Sequence, residues 1–297
     1  MIETTNKLNF DFLGKRIIAL IIFIVLSIIG IISYLHNGFT LGTDFAGGIR
    51  IEFTAPSTVQ EIRTLIPDTQ ISITTLTQNN GVESFLITAP SEFEESGSGD
   101  HLLNPLRTKY KEANIVVLSS EYIGPSVGND FAKQALKLLS IVTALILVYV
   151  AFRFDFVYGM GAICALLHDM TILLIFTVIL QIPINLTILA AFLTILGYSI
   201  NDTIVIFDRI RENHTLLPQE NFYNIINKSI GQTLTRTVLT SATTLFVAGS
   251  IYIWSGNILQ NFGLLLIIGV ITGTYSSIFV APPISLFLFN KTHKIIK

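Results

Sequence analysis

With a single cysteine, Cys164, in 297 residues, the chain can form no intramolecular disulfide. Charge is scarce as well: Asp, Glu, Lys and Arg make up 13% of the residues, about half the share of an ordinary soluble domain. Eighteen basic against 20 acidic residues leave a net charge of −2, and the acidic cluster Glu92, Glu94, Glu95 and Asp100 argues against a nucleic-acid partner. No GxxxxGK[ST], HExxH or paired CxxC pattern occurs, which removes the common phosphate-cradling and zinc-binding solutions. No metal, no cofactor and no enzymatic activity is expected, so any work the protein does must draw on another energy source. One pattern does match a catalytic signature, the GxSxG of Gly124-Pro125-Ser126-Val127-Gly128. It is rejected as a nucleophile elbow, because the helix that follows is an apolar membrane span and no His–Asp pair is placed to serve Ser126.

What fills the chain instead is apolar sequence. Half of it, 51%, is hydrophobic, with a mean hydropathy of +0.66, the signature of an integral membrane protein. Long apolar runs lie at Ile17 to Tyr34, Ala135 to Ala151, Phe156 to Ile182, Leu186 to Phe207, Thr237 to Trp254 and Leu259 to Ala281; at about 18 residues or more, these read as six membrane spans. The first is too long for a cleavable signal peptide, and no small-x-small site follows it. Lys7, Lys15 and Arg16 precede span one, Arg153 separates spans two and three, Arg209, Arg211 and Lys228 separate spans four and five, and Lys291, Lys294 and Lys297 follow span six. The loops on the opposite face, Gln181 to Asn185 and Ser255 to Ile258, carry no Lys or Arg. Both termini are therefore expected to be cytoplasmic.

This divides the chain into an N-terminus with span one (1–35), an extracytoplasmic domain (36–131), spans two to six (132–290) and a cytoplasmic tail (291–297). Within the domain, Ile49 to Ala55 alternates as a strand does, and Ser57 can cap a short helix through Ile66. Ile71 to Thr77 and Glu83 to Thr88 read as strands joined by an Asn79-Asn80-Gly81 turn. The Ser96 to Gly99 loop leads into a helix over about Asp100 to Ala113, and Ile115 to Tyr122 supplies a last strand. The order βαββαβ predicts a ferredoxin-like domain. Glycines crowd both of its junctions, Gly38, Gly42, Gly47 and Gly48 on the way in and Gly124, Pro125 and Gly128 on the way out; they serve either as hinges or as turns that need positive φ.

The costly residues lie inside the spans. Asn201 and Asp202 interrupt span four, and a carboxylate at that depth is tolerated when it faces a bundle interior, pairs, or titrates. A proton or ion relay is one reading; an Asp held by Ser199, Thr203 or a neighbouring helix for packing is the other. His168 and Asp169 lie near the middle of span three and have the same two uses. Arg236 opens span five, where it is either an interface anchor or a partner for Asp202, which lies about 9 Å along the helix from its own cytoplasmic end. Gly269 and Gly273, four residues apart in span six, allow close helix approach.

On these residues the chain resembles the SecF family of protein-export membrane subunits, within the resistance-nodulation-division superfamily. The resemblance is carried by Leu41-Gly42-Thr43-Asp44-Phe45-Ala46-Gly47-Gly48, by Ile123-Gly124-Pro125-Ser126-Val127-Gly128, by His168-Asp169, by the run from Gly197 through Asn201-Asp202 to Asn213, and by Leu234-Thr235-Arg236-Thr237-Val238-Leu239-Thr240-Ser241. It departs at Ile123, often Val in the family, and at Asn129-Asp130-Phe131. The resemblance implies a bacterial inner-membrane protein working with SecD beside the SecYEG channel, with YajC as a further partner, and using the proton-motive force to move unfolded polypeptides. It also implies that Asp202 and Arg236 are the proton-responsive pair; Asn201, His168 and Asp169 are further candidates for the relay, and Asp44, Gly47, Gly48, Gly124 and Pro125 are candidates for the hinge at the domain junction. The alternative is a small-molecule or lipid exporter half of the same superfamily, for which a domain of this size is small.

Overall fold

The computed structural model describes residues 10–68, 71–77, 83–93, 100–110, 114–255 and 257–295. Six helices in it are long and apolar enough to cross a membrane. They are α1 (Arg16–Asn37), α5 (Pro125–Arg153), α6 (Phe156–Ile179), α7 (Leu186–Leu216), α8 (Phe222–Trp254), and the pair α9 (Asn257–Phe279) and α10 (Ala281–Ile295), which together make the last crossing. Helices α6, α7 and α9 form the centre, while α1 and α5 lie at its edge with most of their surface uncovered.

Local chemistry fixes several boundaries. Gly38, at φ +66, ends α1 by donating its N–H to the Tyr34 carbonyl, a conformation that favours glycine. Pro125 opens α5 at the first helical position, where its missing N–H costs nothing. Asn185 and Asn221 cap α7 and α8, their side-chain oxygens accepting from the Ile188 and Tyr223 amides at 2.8 and 3.1 Å. Three of the predicted spans are only parts of longer helices, α5 beginning at Pro125 rather than Ala135 and α7 and α8 extending the fourth and fifth spans. At 31 and 33 residues, α7 and α8 are each about 45–50 Å long, well beyond a hydrocarbon core of about 30 Å. Their polar ends form a helical hairpin around Asn213, whose amide donates to the Ser229 hydroxyl at 2.8 Å and to Gln232 at 2.7 Å. The last crossing likewise runs past the predicted limit at Ala281 to Ile295, interrupted at Val280 just before Pro282 and Pro283, which have no backbone donors.

The α+β domain is a four-stranded antiparallel sheet of β1 (Gly48–Thr54), β2 (Ser72–Thr77), β3 (Glu83–Ala89) and β4 (Val116–Ile123), in the spatial order β2-β3-β1-β4. Helix α3 (Val59–Leu65) follows β1 and α4 (Asn104–Tyr110) precedes β4, so the chain order is βαββαβ. Register pairs Ile51 with Ile87 and Phe53 with Phe85, which puts alternate residues on one face. There they meet Ile62, Leu103 and Leu106 in the domain's core. One expectation needs correcting. Thr58, not Ser57, caps α3: its hydroxyl accepts from the Glu61 amide and Glu61 reaches back to the Thr58 amide, the reciprocal arrangement that satisfies two orphan donors. Ser57 instead donates to Glu61 at 3.1 Å. The second helix begins at Asp100 as expected, with a 3-10 turn over Asp100–Leu103 running into α4, and its last three expected residues, 111–113, lie outside the described residues. The Asn79-Asn80-Gly81 turn and the Ser96 to Gly99 loop lie outside the described residues.

Candidate functional site

The junction between domain and bundle is tightly packed. A short helix, α2 (Thr43–Ala46), crosses between the first turn of α5 and the loop before α7. Gly47 and Gly48 stand at φ +80 and +153, so two of the junction glycines have the conformational use. A Cβ on Gly128 would come within 2.8 Å of the Gly47 nitrogen and the Phe45 carbonyl oxygen; here backbone touches backbone. Gly124 has no such constraint, its φ being −64 and a Cβ there meeting nothing nearer than the Tyr122 side chain at 3.8 Å. Asp44 carries each oxygen to a different partner. Its Oδ2 accepts from the Leu186 amide in the first turn of α7 at 3.0 Å, and its Oδ1 lies 3.7 Å from the Arg50 guanidinium on β1.

Deeper in the bundle, α6 contributes His168 and Asp169, both buried. Asp169 is 1% exposed and sits where three helices meet. Its Oδ2 accepts from Ser199 of α7 and, at 2.8 Å, from Ser276 of α9, while its Oδ1 lies 3.0 Å from His168 Nδ1. Beside it, Tyr198 donates to Ser241 of α8 at 3.1 Å, and Ser241 bonds Thr274 of α9 at 2.6 Å. A polar stratum therefore runs through all four helices, each hydroxyl satisfied as a low-dielectric interior demands. Gly269 and Gly273 make room for it: a Cβ on the first would fall 2.4 Å from Ile195, and on the second 3.1 Å from Ser199.

Asp202 differs from Asp169 in every respect but burial. It is 3% exposed, yet its Oδ2 has no hydrogen-bond partner. Neither Ser199 nor Thr203 holds it, because Ser199 serves Asp169 and the Thr203 hydroxyl donates to the Ser199 carbonyl at 3.3 Å. Arg236, on α8, is near enough for its charge to act on Asp202. No ion pair joins the two among the described residues, and Arg236 is exposed on the bundle's flank. Thr237, next in α8, also keeps a buried hydroxyl without a partner. Asn201 is exposed and faces away from the polar stratum. The predicted residues thus separate into a satisfied node at Asp169 and an unsatisfied carboxyl at Asp202.

Sequence reasoning missed Ser276, Tyr198 and Thr274 as members of this polar network, and considered Ser199 only as one possible holder of Asp202, whereas it serves Asp169. The signal was there in part: small hydroxyl residues on facing spans at the depth of a buried acid mark where its donors come from.

Fold and site together define a multi-pass membrane protein that keeps carboxyl groups inside its helix bundle and carries a small α+β domain between its first two crossings. Residues 104–291 match the family described as "Protein export membrane protein SecD/SecF, C-terminal". Over 295 residues, 97% of each chain, the protein is 39% identical to the protein translocase subunit SecF of Thermodesulfovibrio yellowstonii. It is 36% identical to that of Haemophilus influenzae over 91% of this chain and 83% of the relative. The crystal structure of SecDF, a translocon-associated membrane protein from Thermus thermophilus, superposes with a TM-score of 0.79 at 33% identity, covering 95% of this chain and 39% of that one. The chain belongs to the SecD/SecF family of protein-export membrane proteins.

Proposed function

We propose that the chain is the SecF subunit of a proton-driven export motor, working with SecD beside the SecYEG channel, with YajC as an accessory, to draw unfolded polypeptides across the bacterial cytoplasmic membrane. In this reading both termini are cytoplasmic and the βαββαβ unit is a ferredoxin-like domain on the extracytoplasmic side. The Lys/Arg distribution supports that orientation, since Arg153, Arg209, Arg211 and Lys228 all lie at the ends of helices remote from the sheet.

One observation carries the proposal: a buried carboxyl oxygen of Asp202 without a hydrogen-bond partner, within reach of the Arg236 charge but not paired with it. A carboxyl that is fully bonded, like Asp169, is suited to holding helices together. One left open beside a cation changes its proton affinity whenever the distance between them changes, and each pKa unit is worth about 1.4 kcal/mol. His168 and Asp169 would lie next in the path, with Asn201 and Arg236 on the flank offered to the second subunit.

The test is export into inverted membrane vesicles with and without an imposed proton-motive force. Asp202→Asn mimics permanent protonation and Arg236→Met removes the cation. Each should abolish stimulation by the gradient while leaving the complex with SecD intact. Wild-type stimulation in an Asp202→Asn protein that assembles normally would leave the carboxyl a packing feature.

A further inference from the structure

The Asp202 helix is held at its far end by the domain's own lead-in. Four hydrogen bonds fasten residues 40–44 to the loop before α7: Ile184 N–H to the Thr40 carbonyl at 2.9 Å, Gly42 N–H to the Ile184 carbonyl at 2.9 Å, the Thr40 hydroxyl to Gln181 at 2.9 Å, and the Leu186 amide to Asp44 at 3.0 Å. The approach is close enough that a Cβ on Gly42 would sit 2.9 Å from that of Asn185. Only the last bond reaches α7 itself. Leu186 is the first residue of the helix, whose N–H has no partner within it, and a carboxylate there also faces the positive end of the helix dipole.

The other oxygen of the same carboxylate faces Arg50, and Arg50 also donates to Thr43 at 3.3 Å. Arg50 belongs to β1, an interior strand of the sheet. One side chain therefore touches the domain's sheet with one oxygen and the bundle's Asp202 helix with the other. From Leu186 to Asp202 is 16 residues of unbroken helix, about 24 Å at helical rise. A helix resists stretching along its axis, so a pull on its first turn is delivered at the carboxyl.

We propose that Asp44 is a positioning residue that couples the α+β domain to the proton site: it clasps Arg50 of β1 and the Leu186 amide of α7, so that displacement of the domain shifts Asp202 relative to Arg236. This rests on the reading of Asp202 as proton carrier, and the experiment separates the two. Asp44→Ala removes the acceptor. Leu186→Pro removes the donor from the other side without breaking the helix, because proline is accepted at the first helical position and Asn185 before it is already extended, at φ −136 and ψ −177. Asp44→Asn keeps an acceptor oxygen for Leu186.

In the reconstituted complex, gradient-stimulated export should fall about fivefold or more in Asp44→Ala and in Leu186→Pro, with the double variant no worse than either, since both delete one bond. Asp44→Asn, which can still serve Leu186 but turns an amide donor toward Arg50, should stay nearly as impaired as Asp44→Ala, because the pull from β1 then has no acceptor to act on. The rate at which a hydrophobic carbodiimide modifies Asp202, read from its peptide by mass spectrometry, should change in the same two variants without any export taking place. Full additivity of the two substitutions, or an unaltered modification rate in both, overturns the coupling even where Asp202→Asn still abolishes stimulation. A changed modification rate with export indifferent to Asp202→Asn keeps the coupling and removes the motor.

Discussion

Two aspartates thirty-three positions apart in sequence show how one residue type serves opposite ends inside a bundle. Asp169 accepts from Ser199 and Ser276 and lies against His168; removing one partner of such a buried hydrogen bond costs about 1–3 kcal/mol. Ser276→Ala removes one of these donors from a residue that is 0% exposed, so we expect a stability loss of about that size. Retention of monodisperse protein on size exclusion after graded heating would measure it, and an unchanged profile would mean that Ser276 contributes nothing to the node. Asp202, by contrast, has no such bond at Oδ2 to lose; Asp202→Asn should leave the same heating profile close to wild type. Reading the sequence places both acids inside spans, because the cost of burial is visible from composition. It does not divide the hydroxyls between them. Ser199 is three residues from Asp202 and equally able, by spacing on one helix, to serve it; the choice of Asp169 comes from how α6 and α9 pack against α7, which is tertiary.

At the scale of elements, the same limit explains the helical hairpin. Hydropathy ends span four at Phe207 and begins span five at Thr237, where apolar character fades. The backbone is indifferent to that boundary and continues, because Asn213, Ser229, Gln232 and Arg209 satisfy one another across the two helices. The segment before α1 packs on this hairpin: Phe12 and Leu13 are buried, the Leu13 amide donates to Asn227 at 3.1 Å, and Asp11 accepts from Tyr223 at 2.5 Å, from the Gly14 amide at 3.0 Å and from Asn227 at 3.1 Å. The Tyr223 hydroxyl, foremost among these donors, holds the Asp11 carboxyl below the ordinary carboxylate range, with the Gly14 amide next. A depressed folded-state pKa contributes stability above the unfolded value, about 3.9 for Asp, and loses it as pH falls through the folded one. Docking of residues 11–15 should accordingly be constant from neutral pH down to about 5 and loosen below about 4. Hydrogen exchange at the Leu13 to Lys15 amides, corrected for intrinsic rates, would follow it, and Tyr223→Phe should flatten the dependence. Equal acid sensitivity in Tyr223→Phe would assign the effect to another carboxylate.

For the whole molecule, the legible part is architecture. Six crossings and the βαββαβ order follow from run length and alternation, and the glycine runs mark the junctions. What glycine does there is not legible: Gly47 and Gly48 take left-handed φ and Gly42 and Gly128 allow backbones to touch, whereas Gly124 does neither. The proposed orientation rests on the Lys/Arg distribution and is open to labelling. Thr64, exposed on α3, and Thr215, exposed near the end of α7, mark opposite ends of the molecule; Asn213 would be a poor reporter because it is buried and bonded. In a Cys164→Ala background, Thr64→Cys and Thr215→Cys should react with an impermeant thiol reagent from opposite sides of the membrane. Reaction of both from one side would invert the assignment of the domain to the extracytoplasmic space.

The packed lead-in also determines where the domain can turn. Residues 40–44 are already bonded to the loop before α7, and α2 is wedged against the start of α5, so a swing of the sheet relative to the bundle has its pivot beyond them, at Gly47 and Gly48 and at the facing step from β4 into α5. On the far side of that pivot, β2 touches α9, a contact that any sizeable swing must break. Two tethers made with the same short bis-maleimide therefore have opposite expected effects. Joining Thr40→Cys to Gln181→Cys duplicates an existing contact, and gradient-stimulated export should continue. Joining a cysteine on β2 to one on the part of α9 that it touches bridges the pivot, and export should stop until the tether is cut by a cleavable version of the reagent. Export that survives the second tether at full occupancy would show that the domain acts without leaving the bundle, and arrest by the first would place the moving joint in the lead-in itself.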